Sequence, residues 1–322
     1  MKYGKTILII MAVLLTGCRN GGKSTGFEPH AFPQPKVPSV YSLEEERLGY
    51  LLSHYWDPFL ATDKVYPTDS LLINGVRENE VEAALSNYLE VLRMSSTADA
   101  VKGVAAFYDK LEAYQNAAGG SPDSEMTALR RVASLVEKYL YDPNSPFRNE
   151  EFYLPFVKRL AESRFIPDDM RTAYRFDAEM CSLNRLGTPA ADFRFRDIRG
   201  RDHRLYDVRA DYTLLFFSNP GCENCYEIIT RLGAMPQVDK LIAAGTLAVV
   251  NVYIDEEIDK WADYQDIYPK TWYNGYDPDL IIRKDLIYSV RAIPSLYVLD
   301  AGKRVIMKDA PEENVFSFLD NI

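Results

Sequence analysis

The chain has 322 residues, enough for about two domains, and 47% of them are hydrophobic, which is enough to bury real cores. This composition excludes an intrinsically disordered chain. The formal net charge of −10 disfavours nucleic acid and anionic lipid surfaces as partners, and the sequence holds no cluster of Lys and Arg and no glycine-rich phosphate loop.

Residues 1–17 are predicted to be a signal peptide. Lys2 and Lys5 make its start basic, and the apolar run at 7–15 is too short to span a bilayer. The run ends in Leu15-Thr16-Gly17-Cys18, which resembles a bacterial lipobox. The resemblance implies that Cys18 becomes the first residue of the mature protein and carries the lipid that anchors it to the bilayer. The alternative is a plain secretory signal with a chance cysteine.

Residues 18–40 are predicted to be a lipid-anchored linker, because prolines recur there and large apolar residues are few. No acidic residue directly follows Cys18, so no signal for inner-membrane retention is evident. We therefore expect a lipoprotein of the cell envelope that faces the periplasm, on the outer membrane. Cysteines in that compartment can form disulfides.

Residues 41–183 are predicted to be an all-α domain of five or six helices. Apolar residues recur there at helical spacing, as in Val81, Leu85, Tyr88, Leu89 and Leu92. Turn-rich breaks at 116–122 and 142–146 separate the helices. The sequence indicates no activity for this domain, and we expect it to dock a partner or to dimerise.

Residues 184–322 are predicted to be an α/β domain with helices on both faces of a sheet. Its elements, in chain order, are a hairpin around 199–201, a strand at 213–217, a helix from Cys222, a strand at 247–254, helical stretches at 257–264 and 281–288, strands at 296–299 and 304–307, and a helix at 312–319.

Cys222 and Cys225 lie where an apolar strand ends and a helix begins. The N–H groups of a helix N-terminus stabilise a thiolate, and the two-residue spacer brings both sulfurs together. Cys222, at the exposed end, would attack a disulfide, and Cys225 would resolve the mixed disulfide. The alternatives are a structural disulfide and half of a zinc site. For zinc, the other candidate ligands are scattered along the chain, namely Cys181, His30, His54 and His203.

The segments GTPAADFRFRDIRGRDHRL, LLFFSNPGCENC, VVNVYID and LIYSVRAIPSLYVLDAGKRVIMKDA are similar to the thioredoxin-like fold. Within it they resemble the TlpA and ResA group of extracytoplasmic thiol–disulfide oxidoreductases. The resemblance implies a cis bond before Pro294, in a loop that faces the dithiol and offers its backbone to a substrate peptide. It also implies that the partners are protein thiols and disulfides.

The chain departs from that group at several positions around the dithiol. Gly221 replaces the usual Trp, Phe216 replaces a buried carboxylate, and Ile228 replaces a glutamate that follows the second cysteine. These departures put proton transfer and the redox potential in doubt. Asn219 stands where a peroxidase of the peroxiredoxin type needs Thr or Ser. Glu223, between the cysteines, should disfavour the Cys222 thiolate and favour a reductase, unless it is only a solvated surface residue.

The sequence therefore predicts an enzyme that reduces or isomerises protein disulfides and is re-reduced by a membrane electron donor. We expect no metal and no cofactor beyond the redox-active disulfide Cys222–Cys225. Cys181, at the domain junction, is predicted to be a buried free cysteine. The alternative function is an envelope binding or scaffold lipoprotein, whose helical domain docks a partner and whose thioredoxin module is weakly active.

Overall fold

The structure, a computed structural model, describes residues 27–322. The predicted signal peptide, the lipobox and Cys18 lie outside the described residues. From residue 27 onward, no helix is both long enough and apolar enough to cross a membrane.

Six helices form the first part of the described chain, as the sequence predicts. They are α1 Glu44–His54, α2 Glu78–Met94, α3 Thr97–Ala118, α4 Ala128–Leu140, α5 Glu150–Leu160 and α6 Asp168–Ser182. Their apolar faces meet in one core, in which the Trp56 and Phe107 rings stack with 4.4 Å between centroids. The helical spacing of the sequence thus reports the buried face of each helix.

A two-stranded ribbon between α1 and α2 was not predicted. Strand β1 (Leu72–Ile73) pairs with β2 (Val76–Arg77) in an antiparallel hairpin. Asn74 and Gly75 make its turn, with φ of 48° and 72°. Asn-Gly is the strongest short signal for such a turn, because both residues tolerate a left-handed backbone. The helical spacing of the flanking segments hid this signal.

The second part of the described chain has a thioredoxin-like α/β fold around a seven-stranded sheet of order β4-β3-β7-β6-β5-β8-β9. The strands are β3 Arg194–Asp197, β4 Asp202–Arg204, β5 Tyr212–Phe217, β6 Leu247–Tyr253, β7 Tyr273–Tyr276, β8 Ser295–Asp300 and β9 Val305–Met307. Strands β5, β6 and β7 are parallel, and β8 runs antiparallel to β5.

Helices cover both faces of this sheet. They are α7 Glu223–Gly233, α8 Pro236–Ala243, α9 Ile258–Asp263, α10 Ile281–Lys284 and α11 Glu312–Asp320. Alternate residues of β5 point to opposite faces, so Phe216 packs in the core with α7 and α11 while Phe217 packs in the core with α10. Strand β7, helix α8 and the short 3-10 helix Leu205–Asp207 were not predicted from the sequence.

Candidate active site

Cys222 caps the N-terminus of α7, and a short turn connects it to the end of β5. Its sulfur accepts a hydrogen bond from the Cys225 N–H at 3.2 Å. Gly221, just before it, has a φ of 75°, in the left-handed region that favours glycine. The left-handed backbone at this position therefore accounts for a glycine where the TlpA and ResA group has a tryptophan.

Cys222 and Cys225 form a disulfide, and their exposures differ sharply. Cys222 is half-buried, whereas Cys225 is 1% exposed and packs among apolar residues of α7 and the sheet. A substrate thiol or a substrate disulfide can therefore reach the sulfur of Cys222 but not that of Cys225. The Cys225 N–H in the first turn of α7 points at the Cys222 sulfur, where it would stabilise the negative charge of a thiolate.

The loop before β8 faces this disulfide. Its Ile293–Pro294 peptide bond is cis, and the carbonyl oxygen of Ile293 lies 3.9 Å from the Cys222 sulfur. Both loop residues are half-buried. The backbone of this loop and the accessible sulfur thus border the same surface, which is the arrangement that an extended peptide needs to contact both.

Charged side chains that the sequence analysis missed lie behind the loop. The Ser295 hydroxyl donates to Asp309 Oδ1 at 2.7 Å, and Arg291 Nη2 donates to Asp309 Oδ2 at 3.1 Å. Burial raises the pKa of Asp309 to about 6, although Arg291 opposes the rise. No sequence pattern pointed to these contacts, because Asp309 is remote in the chain from the loop that it supports.

A second polar network holds the turn before Cys222. Asn219 Nδ2 donates to Asp255 Oδ2 at 2.7 Å, and Asp255 Oδ1 accepts from Arg283 Nε at 2.7 Å. Ser218, which directly follows β5, is buried beside Asn251 of β6. The Ser218 Oγ lies 2.5 Å from Asn251 Oδ1. These contacts fix the backbone that leads into the dithiol on the side opposite to the Pro294 loop.

The carboxylates nearest in sequence to the dithiol point away from its core. Glu223 and Glu227 are exposed, whereas Phe216 and Ile228 are buried in the apolar cluster that contains Cys225. The side chains around the buried sulfur are therefore apolar where the resembling group carries acids.

Cys181 is buried at the end of α6, apart from the disulfide. Burial raises the pKa of its thiol far above the ordinary value, which makes the thiolate scarce. Across residues 27–322, no three His, Cys, Asp or Glu side chains are grouped so that they could hold a metal ion.

Both parts of the chain are similar to known proteins. Residues 16–184 match the family described as Domain of unknown function (DUF5106). A thioredoxin-like protein from Bacteroides caccae is 32% identical, with a TM-score of 0.78, and the match covers 91% of this chain and 99% of that one. No curated protein is significantly similar to this chain.

Two further solved structures match a smaller share of this chain. The C-terminal domain of an uncharacterised protein from Bacteroides fragilis is 44% identical, with a TM-score of 0.41, over 42% of this chain and 98% of that one. The thioredoxin domain of a thiol–disulfide oxidoreductase from Bacteroides vulgatus is 17% identical, with a TM-score of 0.38, over 42% of this chain and 96% of that one. The chain thus belongs to the DUF5106 family, with a thioredoxin-like domain after the helical one.

Proposed function

We propose that the protein is a lipid-anchored extracytoplasmic thiol–disulfide oxidoreductase of the TlpA and ResA type, which reduces or isomerises protein disulfides. One observation carries the proposal: a half-buried Cys222 at a helix N-terminus is bonded to a buried Cys225 and faces the carbonyl of Ile293. The similarity to the thioredoxin-like protein from Bacteroides caccae supports the fold on which this chemistry depends.

In the reducing direction, the Cys222 thiolate attacks one sulfur of a protein disulfide. A bond forms between Cys222 and that sulfur, and the other substrate sulfur leaves as a thiolate that takes a proton from solvent. Cys225 then loses its thiol proton to solvent and attacks the Cys222 sulfur, and the second substrate sulfur leaves as a thiolate that takes a proton in turn. Two electrons have passed to the substrate, and the Cys222–Cys225 disulfide remains.

The exposures of the two sulfurs support this order of attack, because a protein disulfide can reach Cys222 alone. The Pro294 loop would hold the substrate by its backbone. Glu223, which follows Cys222 in the chain, is exposed, and its negative charge would disfavour a Cys222 thiolate and so favour a reductase. A membrane electron donor with a reduced dithiol would return the two electrons.

The proposed location rests on the sequence of residues 1–18. A lipid on Cys18 would hold the protein to the cell envelope, facing the periplasm, on the outer membrane. The predicted linker 18–40 would act as a tether only in part, because Phe32 is 6% exposed and packs in the core of the helical domain.

The test is equilibration of the full chain with glutathione buffers, followed by an insulin-reduction assay. We expect one reversible two-electron couple that Cys222→Ala abolishes, together with catalytic turnover. Cys181→Ala is the matched control and should leave both unchanged, because that thiol is buried. Absence of both the couple and the turnover in the wild-type chain would refute the proposal.

The second candidate function is an envelope binding or scaffold lipoprotein whose helical domain docks a partner. The observation that favours it is the apolar setting of Cys225, where Phe216 and Ile228 replace the acids of the resembling group. A weakly active dithiol, with a partner that copurifies with the helical domain, would support this alternative.

A further inference from the structure

The helical domain reaches the Pro294 loop through a buried ionic cluster. Glu150, the first residue of α5, has a side chain that is 2% exposed. Its Oε1 accepts from Arg291 Nε at 3.2 Å, and its Oε2 lies 2.7 Å from Lys308 Nζ. Arg291 is two residues before Ile293, so a carboxylate of the helical domain directly contacts the loop that faces the disulfide.

The loop is held on both sides of its cis peptide bond. On the N-terminal side, Arg291 bonds to both Glu150 and Asp309, and its guanidinium lies 4.0 Å from the centre of the Tyr141 ring. On the C-terminal side, Ser295 directly follows Pro294 and donates to Asp309. The guanidinium is therefore fixed by two carboxylates and an aromatic face, which leaves the adjoining backbone few alternatives.

The other contacts of Glu150 strengthen this link. The Ser289 hydroxyl lies 3.4 Å from Glu150 Oε1, so a second residue of the loop approaches the same oxygen. Lys308 Nζ donates to the Cys181 carbonyl at 2.8 Å, which joins the end of α6 to the same cluster. Breaking one partner of a buried ionic cluster leaves an uncompensated charge, so the cluster opposes loosening at any of its members.

We propose that Glu150 is a positioning residue of the redox site, which holds the Ile293–Pro294 loop against Cys222 through Arg291. The inference rests on the proposed function for its redox meaning. It assigns to the helical domain a part in the active site, beyond docking or dimerisation, since the thioredoxin-like domain alone supplies only one of the two carboxylates that bond to Arg291, that of Asp309.

Glu150→Gln tests the proposal, because it keeps the shape of the side chain and removes its charge. Glu151→Gln is the matched control. Glu151 is the next residue of α5, is also buried, and bonds to Arg185 at 2.8 Å and to the Leu186 N–H at 3.1 Å, in the segment between the domains. Both variants thus lose one buried carboxylate from the same helix turn, and only one of these carboxylates contacts the loop.

The first measurement is hydrogen exchange of the backbone amides at 289–296 in the full chain. We expect about ten-fold faster exchange there in Glu150→Gln, and wild-type exchange in Glu151→Gln. The second measurement is disulfide reduction. KM for a protein disulfide should rise about ten-fold in Glu150→Gln, while the rate with the small reagent dithiothreitol stays within about two-fold, because only the protein substrate uses the loop.

Equal hydrogen-exchange rates at 289–296 in the two variants would overturn the proposal. An increase in exchange rate that is spread evenly over both domains of Glu150→Gln would also overturn it. If Glu150→Gln does not fold, Arg291→Lys gives the same measurements, since a lysine keeps the charge but lacks the planar fork that bonds to the two carboxylates and stacks on Tyr141. Wild-type exchange in Arg291→Lys would then refute the proposal. A wild-type chain without a reversible Cys222–Cys225 couple would instead refute the proposed function, whereas the exchange data decide separately whether Glu150 holds the loop.

Discussion

Asp309→Asn should remove a specific pH dependence of stability. Burial raises the pKa of Asp309 from the ordinary 3.8 to about 6. Because the folded state holds this proton more tightly than the unfolded chain, the stabilisation is fully present below pH 3.8 and is lost as pH rises through about 6. The difference corresponds to about 3 kcal/mol of unfolding free energy.

Urea unfolding of the wild-type chain and Asp309→Asn at several values between pH 4 and 7 measures this effect. The substitution also removes the partner of Arg291, which shifts stability by a constant amount, so the informative quantity is the change of the wild-type minus variant difference with pH. That difference should fall by about 2–3 kcal/mol from pH 4 to pH 7.

Asp202→Asn is the control with the opposite sign. Hydrogen bonds from Arg196 and Arg194 lower the pKa of Asp202 to about 2, so its stabilisation is present above pH 3.8 and is lost only as pH falls through about 2. The wild-type minus Asp202→Asn difference should therefore stay flat between pH 4 and 7. An equally flat difference for Asp309→Asn would refute the raised pKa, and with it the desolvation argument.

Four further substitutions have direct expected outcomes. Cys225→Ala should accumulate mixed disulfides with protein substrates through Cys222, visible on non-reducing gels, and Cys222→Ala should accumulate none. Phe107→Ala should cost about 3–5 kcal/mol of unfolding free energy by urea titration, because the ring is 2% exposed and stacks on Trp56. Gly221→Ala should cost about 1 kcal/mol, since its φ is 75° while its new Cβ would meet no heavy atom within 4 Å.

The elements that the sequence predicted are those with a clear period or a clear boundary. Strand β5 is a run of apolar residues that ends at a turn, and the apolar residues of α2 recur at helical spacing. Strand β7 has neither feature. Its sequence Tyr-Asn-Gly-Tyr contains two poor strand formers, and it is a strand because β3 and β6 supply partners on either side.

The two halves of the candidate site differ in the same way. Cys222 and Cys225 are only three positions apart in the sequence, so their spacing alone indicates the chemistry. Glu150, Arg291 and Asp309 together support the Pro294 loop, although they are separated by as many as 159 positions (309 − 150) in the sequence. They come into contact only when the domains pack. Each of these residues, taken alone in the sequence, is an ordinary charged residue.

The buried charged side chains near the candidate site lie behind the Pro294 loop and not around the buried sulfur of the dithiol. Cys225 lies in an apolar cluster, which opposes ionisation of its thiol. The buried charges instead lie behind the Pro294 loop, where Asp309 is bonded to Arg291 and Ser295. Because Phe216 and Ile228 pack with Cys225 at positions where the resembling group carries acids, we attribute the difference in reactivity between the two sulfurs to the N-terminus of α7 and to the exposure of Cys222. On the proposed function, this charged cluster would act on the position of the substrate rather than on the protons of the dithiol, and its loss should therefore change KM for a protein disulfide more than the rate with a small thiol.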